Sequence, residues 1–221
     1  MNINVDKTYI CHYSKLTDRK INLIKDLEKN NITDYFFVEL FDKDTWNKEE
    51  INNKYPLVDI YKLNDNSMND AEKSLLMKHA WIIEDMYVNG YDSILVLEDD
   101  ALLTDNFVEK FNVYKNELPK DWDVAWVGSC FHLHEPIEPG KLVYRTDKGS
   151  RCTHAFCLSK SFALKSIDEI KNINQPADHY YNTLLKKINA NNYWFQPPLA
   201  LQSTEYTSAI SGNRWTKELM G

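Results

Sequence analysis

An α/β layered domain with a largely parallel sheet is the fold class this sequence predicts, on three observations. Short β-branched and aromatic runs alternate along the chain with stretches of helical apolar spacing. One of those runs, Ile94-Leu95-Val96-Leu97, is apolar without interruption, as a strand covered on both faces must be. The segment from Ala71 to Val88 repeats its apolar positions at helical spacing and meets Asn89-Gly90, the composition of a left-handed helix stop.

Taken in order, TYICHY (8–13) reads as the first strand. The following LTDRKINLIKDLEKNNI carries Leu16, Ile21, Ile24 and Leu27 near helical spacing, with Thr17 as the N-cap. YFFVEL (35–40) is the second strand. Residues 42–70 are polar, rich in Asp and Asn and broken by Pro56, so they read as a long excursion holding one short helix. In the helix over 71–88, Ala71, Leu75, Ile82 and Met86 share one face. VAWV (124–127) and AFCL (155–158) are further strands, SFALKSIDEIKNI (161–173) and ADHYYNTLLKKIN (177–189) are helices, and YWFQ (193–196) is a last strand before Pro197-Pro198. With no repeat and no low-complexity linker, the 221 residues read as a single domain, 1–221, with 199–221 as a mobile C-terminal segment.

Composition narrows the function. Hydrophobic residues at 43% and charged residues at 27% are ordinary globular proportions. A net charge of −7 with scattered acids leaves no broad cationic face, which excludes nucleic acid as a partner. No run approaches the roughly 18 apolar residues of a membrane helix, and MNINVDKTYICHY has no basic stretch followed by an apolar signal core, so the chain is expected to be cytoplasmic. Cys11, Cys130, Cys152 and Cys157 follow no recognisable disulfide framework and are expected as reduced, mostly buried thiols; a zinc set drawn from Cys130, His132, His134, Cys152, His154 and Cys157 is the sharper alternative.

The chemistry is concentrated in ILVLEDDALL (94–103), where Glu98, Asp99 and Asp100 directly follow the most strand-like run. Ligands of open α/β sheets bind beyond the carboxyl ends of the strands. Alternation along an extended backbone sends Glu98 and Asp100 to one side and Asp99 to the other. Converging carboxylates raise one another's pKa unless a cation neutralises them, and a hard divalent ion with oxygen ligands does so and can bridge to a diphosphate. The plainer alternative is a solvated loop, or a favourable charge at the start of the next helix.

The combination AEKSLLMKHAWIIEDM, YDSILVLEDDALL, DWDVAWVGS, THAFCLSKSFA, PADHYYN and PPLALQSTEYTSAI, in that order from about Tyr9 to Ile210, resembles glycosyltransferase family 25. That family contains bacterial lipooligosaccharide galactosyltransferases and collagen β-galactosyltransferases. The resemblance implies a GT-A type fold with a Rossmann-like sheet flanked by helices, a UDP-sugar donor, Mn²⁺ or Mg²⁺, and inversion at the anomeric carbon. It implies transfer of a hexose, galactose or glucose, to a glycan or a glycosylated-protein acceptor.

Carried over by position, Asp100 is the direct metal ligand, with Glu98 assisting at the metal or the ribose, and Glu98 and Asp99 in the nucleotide-sugar motif. Asp178 becomes the general base and His179 a metal or phosphate contact, the alternative making Asp178 an N-cap. Arg19 either touches the nucleotide or is solvated in a first helical turn. Gln202 and Ser208 match positions that close over the donor, or else lie in a surface loop. Glu72 and His79, seven apart on one helix face, read as a hydrogen-bonded pair beneath the site rather than as ligand contacts. The sequence departs from the family where Ser74 replaces a glycine and Lys78 precedes His79. Tyr193, Trp194 and Trp215 are either stacking faces for a sugar or core. Two rival functions share these features: a metal-dependent phosphoester hydrolase, and a non-catalytic carbohydrate-binding protein that kept the fold.

Overall fold

A computed structural model describes residues 2–45, 68–128, 138–147, 149–170 and 175–206. Seven strands form one sheet: β1 (Lys7–Cys11), β2 (Tyr35–Val38), β3 (Ser93–Glu98), β5 (Val124–Gly128), β6 (Val143–Thr146), β7 (Ala155–Ser159) and β8 (Asn192–Phe195). Their spatial order is β2-β1-β3-β7-β5-β8-β6. Five strands run in one direction; β7 and β6 are antiparallel to their neighbours. The fold is therefore the Rossmann-like, GT-A type arrangement expected, with a mixed outer half that alternation alone did not reveal. A separate two-stranded sheet pairs β4 (Ala101–Leu103) with β9 (Ala200–Gln202).

Side-chain alternation divides the core between the two faces of the sheet. Tyr9, Ile94, Val96, Trp126, Phe156 and Trp194 point to one face, covered by α2 (Asp70–Asn89), α4 (Lys160–Ser166) and α5 (Ala177–Lys187). Ile10, Leu95, Leu97, Ala125, Cys157 and Phe195 point to the other, covered by α1 (Thr17–Lys29) and α3 (Phe107–Asn116). All four residues of the Ile94–Leu97 run are fully buried, two on each face, which is why that strand has no polar alternation. Trp194 and Tyr193 are core residues, not stacking faces; Trp215 lies outside the described residues.

Local chemistry explains the helix ends. The α2 N-terminus is a capping box, with the Asn69 side chain accepting from Glu72 N and Glu72 Oε2 accepting from Asn69 N at 2.8 Å. Its C-terminus stops at Gly90 with φ of 69°, the left-handed cap read from Asn89-Gly90. The helix is buried more broadly than one apolar stripe, enclosing Ser74, Lys78 and His79 beside Ile82 and Met86. The N-cap of α1 is Leu16 without a side-chain bond, so Thr17 is the first helical residue instead of the cap. The helix expected over 161–173 ends at Ser166. Strands β4, β6 and β9 and helix α3 were not anticipated, being short or weakly patterned. Cys11 and Cys157 are free and buried, but Cys152 is disulfide-bonded, which corrects the expectation of four reduced thiols.

Candidate active site

The carboxyl end of β3 opens into a cavity of about 370 Å³ whose wall includes Arg19, Glu72, Glu98, Asp99, Asp100, Asp178, His179 and Gln202. The three acids at the strand end have three different surroundings. Glu98 lies on the α2 and α5 side, where Oε1 accepts from the Thr153 hydroxyl and stands 3.9 Å from His79 Nε2. Asp99 points toward α1: Oδ1 accepts from Arg19 at 2.9 Å, and Oδ2 pairs with His12 Nδ1 at 2.7 Å. Both Asp99 oxygens are thus held by protein groups, all of them buried.

Asp100 is less completely answered. Its Oδ2 accepts from Gln202 Nε2 at 3.1 Å and lies 3.8 Å from Arg19, while Oδ1 is buried with no hydrogen-bond partner among the described residues. Burial foremost, then the charges of Glu98 and Asp99, push its carboxyl up to about 7, against smaller lowering from Gln202 and Arg19.

The backbone fixes this geometry. Ala101 pairs with Gln202 in the β4–β9 ladder, and Ser203 N donates to Asp100 O at 2.8 Å. Gln202, expected in a closing loop, therefore sits in a strand alongside the acidic turn. Gly128 permits this approach, because a Cβ there would meet Ala200 O at 2.3 Å and His154 Nε2 at 2.5 Å. Ser208 lies outside the described residues.

Asp178 occupies the first turn of α5 on another part of the same wall. The N-cap is Pro176 and no side chain among the described residues caps the helix; Asp178 Oδ1 instead accepts from His179 N at 2.8 Å. Arg151, which sequence reasoning did not nominate, stands 3.5 Å from Asp178 Oδ2 through Nε and 3.3 Å from His179 Nε2 through a terminal nitrogen. Lys78 was noticed only as a departure from the family pattern. Its buried ammonium donates to the His12 carbonyl and to Asp42, whose other oxygen accepts from Ser14 N at 3.0 Å. That single cation ties the loop after β1 to the loop after β2. A buried lysine in an otherwise apolar stretch was the available signal.

Glu72 serves the capping box and also borders the cavity. His79 is fully buried, stacked on Phe156 and 3.5 Å from the Tyr181 hydroxyl, beneath the cavity instead of in its wall. Its imidazole is held protonated up to about 9: burial opposes this, but Cys11 and Glu98 outweigh it.

The donor set fits a hard divalent cation. Such ions in phosphate sites are bound through one or two carboxylates, with substrate oxygens and water completing the shell. Asp100 Oδ1 is an orphaned buried oxygen, and Glu98 borders the same cavity. Among the described residues no group of three His, Cys, Asp or Glu side chains could hold a metal ion; of the zinc set, Cys152 is committed to a disulfide, and Cys130, His132 and His134 lie outside the described residues.

A sequence model described as "Glycosyltransferase family 25 (LPS biosynthesis protein)" matches residues 5–181. Among curated protein sequences, none matches significantly. Among solved structures, a protein from STIV aligns over 89% of this chain and 84% of its own, at 13% identity and a TM-score of 0.47. A glycosyltransferase involved in glycosylation of the major capsid of PBCV-1 aligns over 75% of this chain and 62% of its own, at 12% identity and TM-score 0.36. The galactosyltransferase LgtC, solved with donor and acceptor sugar analogs, aligns over 85% and 72%, at 10% identity and TM-score 0.39. No helix among the described residues is long and apolar enough to cross a membrane.

Proposed function

The chain belongs to glycosyltransferase family 25, and from that premise we propose that it moves a hexose, galactose or glucose, from a UDP-sugar to a hydroxyl of a glycan or glycosylated protein, with inversion and with Mn²⁺ or Mg²⁺ as cofactor. The observation that carries this reading is a single cavity whose wall holds both the acidic turn, with an unanswered carboxylate oxygen, and Asp178.

Asp100 and Glu98 would hold the cation, which when bound supplies Lewis-acid shielding of the departing diphosphate. Arg19 and His12 take both oxygens of Asp99, which leaves the cation to Glu98 and Asp100. Asp178 takes the proton from the acceptor hydroxyl as its oxygen bonds to the anomeric carbon and the nucleoside diphosphate leaves. Its Oδ1 is oriented by His179 N and its Oδ2 faces Arg151, which fixes the carboxylate plane. General-base assistance of this kind is worth about 10² to 10⁴ in rate, the remainder coming from positioning of the two substrates.

Two-metal phosphoester hydrolysis needs ligands for a second ion, and both oxygens of Asp99 are already taken by Arg19 and His12. The test is incubation with a panel of UDP-sugars and Mn²⁺, with Asp100→Asn as control. Release of UDP from one donor, abolished in the control, is the expected result. No donor turnover with any sugar, or turnover indifferent to chelation, would reject the proposal.

A further inference from the structure

Two buried oxygens at the acidic turn have no partner among the described residues: Asp100 Oδ1 and Gln202 Oε1. They belong to side chains already joined to each other, since Gln202 Nε2 donates to Asp100 Oδ2. Both side chains border the cavity that Glu98 also borders. A buried amide oxygen left unsatisfied costs free energy on the order of 1–3 kcal/mol, so its position calls for an occupant.

We infer that Gln202 Oε1 is a third protein oxygen for the cation held by Glu98 and Asp100, making the cation site a joint product of the β3 turn and strand β9. The inference rests on the proposed cation reading and extends it to a residue of another element.

The physical case has three parts. Amide oxygens are ordinary ligands of hard divalent ions. A neutral donor adds coordination without a further negative charge, whereas a third carboxylate here would repel Glu98 and Asp100 before the ion arrived. The position is also preorganised: the Ala101–Gln202 register and the Ser203 N to Asp100 O bond hold the amide beside the carboxylate before any ligand binds. The same amide group thus has two uses, its nitrogen orienting Asp100 and its oxygen facing the ion.

Mn²⁺ binding to the full chain without any sugar donor, followed by electron paramagnetic resonance and calorimetry, separates the two uses. Gln202→Met keeps the length and removes both donor and acceptor; Gln202→Glu keeps the oxygen and removes the nitrogen donor. The expected result is Mn²⁺ affinity lowered at least tenfold in Gln202→Met and retained or raised in Gln202→Glu, with melting temperatures measured alongside to show that both variants fold. If both variants weaken binding equally, Gln202 only orients Asp100 and the inference is overturned; if neither changes it, Gln202 has no part in the site and the inference is likewise overturned. Wild-type protein that binds no Mn²⁺, with Asp100→Asn indistinguishable from it, rejects the cation reading itself. Binding lost in Asp100→Asn but untouched in Gln202→Met rejects only the third ligand.

Discussion

Asp100→Asn should make the metal-free protein more stable at pH 8. Asp100 has a folded-state carboxyl raised from 3.8 to about 7, first by burial and then by Glu98 and Asp99. A group whose folded pKa lies above its unfolded value favours the fold below the unfolded pKa, and that contribution is lost as pH rises through the folded one. Each factor of ten in proton affinity is worth about 1.4 kcal/mol, so at pH 8 the ionised side chain weakens the fold by up to about 4 kcal/mol. Asparagine removes that charge and still accepts from Gln202, while giving up the weaker attraction to Arg19 at 3.8 Å. A net gain of about 2–4 kcal/mol is expected. For a chain of this length that is a rise in melting temperature on the order of 10 °C. At pH 4 wild type is already mostly protonated there, and the difference should fall below about 1 kcal/mol. The assay is thermal denaturation of both proteins from pH 4 to 8 in chelator and again in Mn²⁺. Added Mn²⁺ at a hundredfold excess over its dissociation constant should stabilise wild type by about 2.7 kcal/mol and leave the variant unmoved. A variant that melts at or below wild type at pH 8, or a gap that does not change with pH, would refute the reasoning.

Three further outcomes are expected. Asp178→Ala should lower turnover about 10²- to 10⁴-fold while donor affinity, followed by calorimetry with UDP and Mn²⁺, stays within a few fold; equal loss of both would remove the base assignment. Gly128→Ala forces a Cβ against Ala200 O, so urea denaturation should show a loss of about 1–3 kcal/mol and Mn²⁺ affinity should fall as β9 shifts; unchanged values would show that the contact relaxes without cost. Lys78→Met strips Asp42 of its buried cation and should cost about 3–5 kcal/mol in the same assay, with much of that recovered in Lys78→Met/Asp42→Asn; a single variant as stable as wild type would disprove the tie between the two loops.

What the sequence made legible follows the range of each interaction. The Ile94–Leu97 strand and the α2 stop at Gly90 were readable because burial on both faces and a left-handed cap each leave a local mark. The antiparallel β7 and β6 were not, since the direction of a strand is decided by distant partners and its composition is the same either way. The same division holds in the site. Glu98, Asp99, Asp100, Asp178, His179, Arg19 and Gln202, each nominated through the family resemblance, all border one cavity. His12, Thr153 and Arg151, and the role of Lys78, carry no local mark because each matters only through a partner 28 to 87 residues away.

The acidic tripeptide shows why three adjacent charges are not three equal ligands. Alternation sends Asp99 to the α1 side, where Arg19 and His12 answer both of its oxygens, so this carboxylate anchors the β1 loop. Glu98, on the opposite side, has one oxygen committed to Thr153 and so keeps a fixed direction toward the cavity. Asp100 alone of the three has a buried oxygen that no described residue answers, and desolvation first, then the charges of Glu98 and Asp99, hold it near the point where proton and cation compete. Removing Arg19 would therefore act on the cation site directly: without the guanidinium 3.8 Å away, Asp100 would hold its proton more tightly, and Mn²⁺ binding would shift to higher pH without loss of any ligand. Arg19→Met assayed for Mn²⁺ affinity between pH 6 and 9 should show that displacement, and an affinity profile superimposable on wild type would mean that the Arg19 charge does not act on Asp100.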